Sequence, residues 1–174
     1  YHSMAVEAGI NMSPCRLHHE GGRSHFMTKR FDRTAKGRRI HMQSLSAMAH
    51  FDYKQPAIYS YEQAIQVMKR LELTREDLEQ QVLRTIFNVV GRNHDDHVKN
   101  IAFLMNRQGE WRLSPAFDIS YAYAPKGEWT SQHQMSVNGK RADFERSDLI
   151  ALAMLAGIKK APANEMIDRV IETF

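Results

Sequence analysis

The chain has 174 residues, of which 43% are hydrophobic and 25% charged, a composition typical of a folded globular domain. Its formal net charge is +4, and its single cysteine, Cys15, excludes a framework of internal disulfide bonds and predicts a reducing cytoplasm. No apolar run approaches the roughly 20 residues that span a bilayer. The opening residues include neither an initiator methionine nor a secretory leader, and we expect an N-terminally incomplete chain.

The predicted elements, taken along the chain, are mainly helical. Strands are expected at residues 16–19 and 24–31, around a Glu20-Gly21-Gly22 turn, and at residues 101–105 and 111–114. Helices are expected at residues 4–8, 44–50, 61–71, 74–90, 146–156 and 163–173. The strongest is 74–90, with Thr74 as its N-cap, Asp77 completing a near capping box, and Gly91 ending it. This order predicts an α+β fold that is mainly α.

A basic cluster follows the second predicted strand. Six lysine and arginine residues fall within the eleven residues 29–39, and Asp32 is the only acid among them. Such a run is either a solvated loop or a surface for the phosphate groups of a nucleotide or a nucleic acid. The residues alone leave both interpretations open.

The segment 91–100 carries the densest set of reactive side chains. It reads Gly-Arg-Asn-His-Asp-Asp-His-Val-Lys-Asn and lies between a long apolar helix and an apolar strand. Four residues separate Asp95 from Asn100, and Asp118 follows the next predicted hairpin. Phosphoryl transfer needs a carboxylate that orients the attacking hydroxyl, together with oxygen ligands for magnesium, and protein kinases place these groups with this spacing. The pattern therefore favours a kinase.

Three other interpretations of these residues compete with the kinase. Asp95 and Asp96 could cap the helix end and the turn, and Asp118 alone could be a strand-end residue. His94 and His97 have the H-x-x-H spacing of some zinc sites, although no further His or Cys lies nearby in the sequence. The combined spacing favours the kinase, in which we expect His97 to face the nucleotide site or to bond within the loop.

The motifs resemble those of HipA-like serine/threonine kinases, the toxin components of bacterial toxin–antitoxin pairs. Residues 93–100 resemble the family's N-x-D-D-H-x-K-N loop, and residues 114–118 resemble its L-x-P-x-Y/F-D metal motif. Residues 30–33 match its E-R-F-D-R hinge after a Lys29 in place of Glu, and residues 135–140 resemble its M-S-x-x-G-K segment. The resemblance implies a protein kinase-like C-lobe at residues 34–174, preceded by a remnant of the N-lobe sheet and the hinge at residues 1–33.

The resemblance also implies a role for each residue. Asp95 would be the catalytic base, Asn100 and Asp118 would bind Mg²⁺, and ATP would be the phosphoryl donor. The other implied nucleotide-binding positions are Lys29 and Phe31 at the adenine edge, Asp32 at the ribose, and His97, Lys99 and Phe117 at or beside the phosphates. The family's phosphate loop and nucleotide-binding lysine precede this region, and no lysine precedes Lys29. We therefore expect this chain to fold but to be inactive alone.

The implied partners are a protein substrate, a helix-turn-helix antitoxin and DNA contacted through the antitoxin complex, with no membrane. Two alternatives stay open: a catalytically idle module that holds an antitoxin or DNA, and a small-molecule kinase on the same fold. We also expect the strands at residues 15–31 to leave a sheet edge unpaired.

Overall fold

The structure is a computed structural model that describes residues 1–55 and 57–174. In chain order its elements are α1 (His2–Glu7), β1 (Cys15–Glu20), β2 (Arg23–Thr28), β3 (His41–Ser44), α2 (Leu45–Ala49), α3 (Tyr61–Arg70), α4 (Arg75–Val90), β4 (Ala102–Met105), β5 (Trp111–Leu113), α5 (Arg146–Leu155) and α6 (Lys160–Glu172). Each predicted helix is present within a few residues of its expected bounds. The mainly helical α+β prediction is confirmed.

The strands form two small antiparallel sheets. β1 and β2 make a two-stranded hairpin in which Cys15 pairs with Thr28, and the other sheet has the order β3-β4-β5. The predicted strand at residues 24–31 is too long. The Lys29 amide still donates to the Pro14 carbonyl in register, at 3.0 Å, but the ladder ends there because Pro14 has no N–H to donate in return. No strand was expected at β3, whose backbone pairs along β4, with Ser44 opposite Ala102. That strand depends on a tertiary partner rather than on its own four residues.

Helix α4 is the central support of the core, and its residues Val82, Ile86 and Phe87 are fully buried. Thr74 caps it, since its hydroxyl accepts from the Asp77 amide at 3.2 Å. The expected capping box is only half formed. One Asp77 oxygen accepts from the Thr74 hydroxyl at 3.0 Å, and the other accepts from the Leu113 amide at 3.3 Å. Asp77 therefore joins the start of α4 to β5.

Gly91 follows α4 for a reason of space rather than of backbone conformation. Its φ is −80°, and the left-handed conformation falls on Arg92, at φ 52°. A Cβ at Gly91 would lie 2.6 Å from Phe174 Cζ and 2.9 Å from the Phe87 carbonyl oxygen. The Tyr1 hydroxyl also donates to the Gly91 carbonyl, at 2.6 Å. An aromatic cluster thus closes α4 where the loop at residues 91–100 begins.

The last two helices pack on α4, and a charged network fixes the start of α5. The Asp148 carboxylate accepts from Asn138 Nδ2 at 2.8 Å, Lys140 Nζ at 2.9 Å and the Glu145 amide at 2.8 Å. Asn138, the Glu145 amide and Lys140 hold the pKa of Asp148 at about 2. Asn138 and Lys140 lie in the segment that resembles M-S-x-x-G-K, so that motif has a structural role here. None of the described helices has the length and apolarity needed to cross a membrane.

Candidate functional site

Asp96 anchors the loop at residues 91–100 to the rest of the domain. Its side chain is fully buried, and one oxygen accepts from the Tyr61 hydroxyl at 2.8 Å and from His133 Nδ1 at 2.8 Å. The other oxygen accepts from the Gln134 amide at 2.7 Å. Burial, followed by the Asp96 charge, raises the pKa of Tyr61 well above its ordinary value, so Tyr61 remains a donor. The loop is therefore tied both to α3 and to the segment before α5.

Asp95, the neighbour of Asp96, has the opposite surroundings. Its side chain is 51% exposed, and its Oδ1 lies 4.0 Å from His97 Nε2. Partial burial raises the pKa of Asp95, and the nearby carboxylates of Asp118 and Asp96 raise it further, against the opposing effect of His97. A reachable carboxylate with a raised pKa is suited to accept a proton.

Asn100 and Asp118 lie beside Asp95 and offer oxygen atoms. The Asn100 Nδ2 donates to the Asp95 carbonyl at 2.9 Å, which leaves its Oδ1 available as a ligand. Asp118 is exposed and has a left-handed backbone, at φ 56°, and its carbonyl accepts from Asn93 Nδ2 at 3.4 Å. Asn100 and Asp118 line the same small cavity. One carboxylate and one amide oxygen suit Mg²⁺, which keeps several waters and takes few protein ligands.

A groove runs along Phe117 toward the β1–β2 hairpin. A cavity of about 580 Å³ lies between Phe117, Asp118 and Phe26 of β2. It adjoins a cavity of about 240 Å³ between Phe117 and residues 29–32. The larger cavity lies within the size range of small-molecule sites, about 300–1,000 Å³, and the smaller one lies just below it. The Phe31 and Phe117 rings contact each other in the groove wall, with centroids 5.5 Å apart.

Residues 29–32 lie at the groove, but the Asp32 carboxylate is already bound by neighbouring arginines. Its carboxylate accepts from Arg30 Nε at 2.8 Å and Nη2 at 2.6 Å, and from Arg33 Nη1 at 2.5 Å. The hydrogen bond from Arg30 is the largest cause that holds the pKa of Asp32 at about 2. The Lys29 amide is bonded to Pro14, whereas the Lys29 carbonyl and the Phe31 amide bond to no other described residue.

Lys99 and His97 both lie beside Tyr53, whereas His94 packs elsewhere. Lys99 is exposed, and its Nζ lies 3.5 Å from the centre of the Tyr53 ring, away from the groove. His94 Nδ1 bonds to the Thr130 carbonyl at 3.1 Å and its ring packs on His133 at 4.1 Å, whereas His97 faces Asp95 and Tyr53. Burial is the main cause that lowers the pKa of His94. The two rings do not converge on one point, and the described residues hold no group of three His, Cys, Asp or Glu arranged for a metal ion.

Comparison with known families matches residues 1–174 to the HipA-like C-terminal domain. The chain belongs to this family. Among solved structures, a similar chain comes from the Shewanella oneidensis MR-1 toxin–antitoxin complex of HipA, HipB and operator DNA, with a TM-score of 0.77 and 18% identity. The match covers 96% of this chain and 44% of that one, so this chain spans less than half the length of its structural relative. Comparison with curated proteins gives no match.

Sequence reasoning missed several polar residues that support this HipA-like site. Tyr61 and His133 bind Asp96, and Gln81 and Arg84 of α4 lie beneath Asn100 and Asp118. One signal was available for the α4 pair. Both residues occur inside the apolar stripe of the helix, where a polar side chain must find a buried partner.

Proposed function

We propose that this HipA-like domain carries the catalytic and metal-binding half of an ATP- and Mg²⁺-dependent serine/threonine protein kinase of the toxin type. The observation that carries the proposal is the meeting of three groups at one place. Asn100 donates a hydrogen bond to the Asp95 carbonyl and lines the same cavity as Asp118. Asp118 in turn is close enough to raise the pKa of Asp95. In protein kinases such a trio serves as base and metal ligands.

Each group has a distinct task in this proposal. Asp95 would accept a hydrogen bond from the acceptor hydroxyl and take its proton, because its carboxylate is half exposed and its pKa is raised. Asn100 Oδ1 and the Asp118 carboxylate would hold the metal. Bound magnesium would neutralise charge on the transferring phosphoryl group. His97, between Asp95 and the buried cavity, would help to fix the orientation of Asp95.

The groove along Phe117 would bind the nucleotide. Adenine would lie against the contacting pair of rings Phe31 and Phe117, next to the Lys29 carbonyl and the Phe31 amide, which have no partner among the described residues. Asp32 would have to exchange an arginine contact for the ribose hydroxyls. Lys99 would likewise have to leave Tyr53 to reach a phosphate. Because Lys99, the cation expected at the phosphates, is bound to Tyr53 instead, we propose that the chain alone turns over ATP slowly.

The partners proposed for the whole protein are a hydroxyl-bearing protein substrate and a helix-turn-helix antitoxin. The structural relative is a chain of an assembly that contains HipA, HipB and operator DNA, and its fold is shared here. We propose that DNA is contacted through the antitoxin in the cytoplasm.

One observation favours a second candidate, an idle module that binds an antitoxin or DNA. Asp32 is held by Arg30 and Arg33, while Lys36, Arg38 and Arg39 remain exposed beside it. Exposed cations of this density can bind phosphate backbones. The two candidates differ in whether ATP binds at the Phe117 groove.

The deciding experiment compares phosphoryl transfer by the full gene product and by its Asp95→Asn variant. Loss of a positioned base should lower the rate about 10²–10⁴-fold, while ATP binding is retained. Asp143→Asn is the matched control, because Asp143 is an exposed acid outside the site. Equal rates for wild type and Asp95→Asn would refute the role of Asp95. A wild-type protein that binds DNA but not ATP would support the idle module.

A further inference from the structure

A small cavity behind the proposed metal ligands is lined by buried polar atoms that have no partner among the described residues. It lies beneath Asn100 and Asp118, and the space in it that a water-sized molecule can occupy is about 20 Å³. Three of its lining residues each bury one polar atom with no hydrogen-bond partner among the described residues: Gln81 Oε1, Arg84 Nε and His97 Nδ1. Buried polar atoms are nearly always hydrogen-bonded, and each one left unpaired costs about 1–3 kcal/mol. Their occurrence around one cavity indicates a shared partner.

The chemistry of the three atoms restricts that partner. Gln81 Oε1 can only accept a hydrogen bond, whereas Arg84 Nε–H can only donate one. A cation held by Asn100 and Asp118 would satisfy Gln81 Oε1 at most, because it has no lone pair that can accept from Arg84 Nε–H, and an anion would satisfy Arg84 but not Gln81. The Asp118 carboxylate on the same cavity further disfavours an anion. The partner must therefore donate and accept at once and must be small and neutral.

Water meets these requirements in its size, in the number of hydrogen bonds it makes, and in its ability both to donate and to accept. A buried water needs roughly 10–15 Å³ of such space and typically makes about three hydrogen bonds. One water can donate to Gln81 Oε1, accept from Arg84 Nε and donate to His97 Nδ1. A water can pair with either tautomer of His97, and the Nε2–H tautomer is the one that also directs a donor toward Asp95 Oδ1, 4.0 Å away.

We infer that this cavity is a specific site for one structural water, which joins Gln81 and Arg84 of α4 to His97 of the catalytic loop. Gln81 is then a positioning residue, because it acts on the Asn100–Asp118 metal site and on His97 without touching the substrate. Arg84 supports the same region directly, since its Nη2 donates to the Ser114 carbonyl at 2.7 Å, four residues before Asp118. The water site stands on the cavity alone, whereas its effect on the metal rests on the proposed function.

The first test needs no activity. A high-resolution crystal structure of the wild-type protein should show an ordered water within hydrogen-bonding distance of Gln81 Oε1, Arg84 Nε and His97 Nδ1. Neutron diffraction should place a deuteron on His97 Nε2. An ion in the cavity or no density would overturn the water site, and a deuteron on His97 Nδ1 would overturn the assignment of its proton to Nε2. Because none of these readouts requires phosphoryl transfer, they remain decisive if the protein proves not to be a kinase.

The second test removes one partner of the water. Gln81→Met keeps the length of the side chain and deletes Oε1, so the water should be lost. The Kd for Mn²⁺, followed by paramagnetic relaxation of solvent water in the presence of a non-hydrolysable ATP analogue, should rise about 10-fold or more. Ile158→Val, a buried change between α5 and α6 that does not line the cavity, controls for lost stability, and Gln66→Met controls for the substitution on an exposed helix face. Equal Kd values for Gln81→Met and the two controls would refute the positioning role.

Discussion

Mutation of the adjacent residues Asp95 and Asp96 should change the free energy of unfolding by very different amounts. Asp96 is fully buried and accepts three hydrogen bonds, from the Tyr61 hydroxyl, His133 Nδ1 and the Gln134 amide. Asp95 is half exposed, and its carboxylate accepts no hydrogen bond from another described residue. Replacing Asp96 by Ala therefore leaves three buried groups without an acceptor. Replacing Asp95 by Ala leaves a solvent-facing gap.

The expected magnitudes follow from these contacts. An unpaired buried polar group costs about 1–3 kcal/mol, so Asp96→Ala should lower the free energy of unfolding by about 3–9 kcal/mol. Against a total stability of roughly 5–15 kcal/mol, such a loss would leave much of the protein unfolded. Asp96→Asn keeps the shape and the oxygen that faces the Gln134 amide, so we expect a loss of about 1–3 kcal/mol. Asp95→Ala should cost within about 0.5 kcal/mol, as surface changes usually do.

Urea unfolding followed by circular dichroism measures these differences directly. The three variants and the wild type are compared at one pH, with similar slopes required for a valid comparison. The expected order of stability is wild type and Asp95→Ala, then Asp96→Asn, then Asp96→Ala. If Asp96→Ala unfolded at the same urea concentration as Asp95→Ala, the buried network would not hold the loop, and the assigned difference between the two acids would be wrong.

Three further predictions test other parts of the structure. Gly91→Ala should lose about 1–3 kcal/mol because its new Cβ meets Phe174, and Phe174→Ala should relieve part of that loss in a double mutant, measured by urea unfolding. Asp148 has a pKa of about 2 in the folded protein against an ordinary 3.8, so its contribution to stability should be complete above about pH 4 and lost as pH falls toward 2. In the Asp148→Asn variant the melting temperature should change less between pH 4 and pH 2 than in the wild type. Phe117→Ala should weaken ATP binding about 2–10-fold in calorimetry by removing the ring opposite Phe31, and an unchanged Kd would exclude adenine from that groove.

The helices were predictable from the sequence because their signals are local. The apolar stripe of α4 and the cap at Thr74 can be read within a few residues, and both are present. Strand β3 could not be predicted in this way, since its four residues are held by pairing with β4, about sixty positions away. Gly91 shows the same limit. Its position ends the helix as expected, but the reason is the ring of Phe174 at the far end of the chain.

The candidate site was predictable in its composition but not in its arrangement. The spacing of Asp95, Asn100 and Asp118 pointed to a kinase, and the structure brings these residues together. Nothing in the local sequence distinguishes the exposed Asp95 from the buried Asp96, because the difference depends on Tyr61 and on residues after position 130. The engagement of Asp32 and Lys99 by neighbouring side chains was also beyond sequence reasoning. Both contacts come from rotamers rather than from spacing.

The loop at residues 91–100 is held mainly by directional polar contacts, and this arrangement suits a site built from oxygen atoms. Asn93 donates to Asn88 of α4, Asn88 donates to the Tyr61 hydroxyl, and Tyr61 donates to Asp96, so a chain of hydrogen bonds returns to the loop three residues from its start. Apolar packing would fix the position of the loop on the core but not the orientation of its side-chain oxygen atoms, because dispersion contacts have little directional preference. Hydrogen bonds constrain angle as well as distance. A loop closed on itself through α3 and α4 can therefore aim Asp95 and Asn100 outward while their neighbours stay buried.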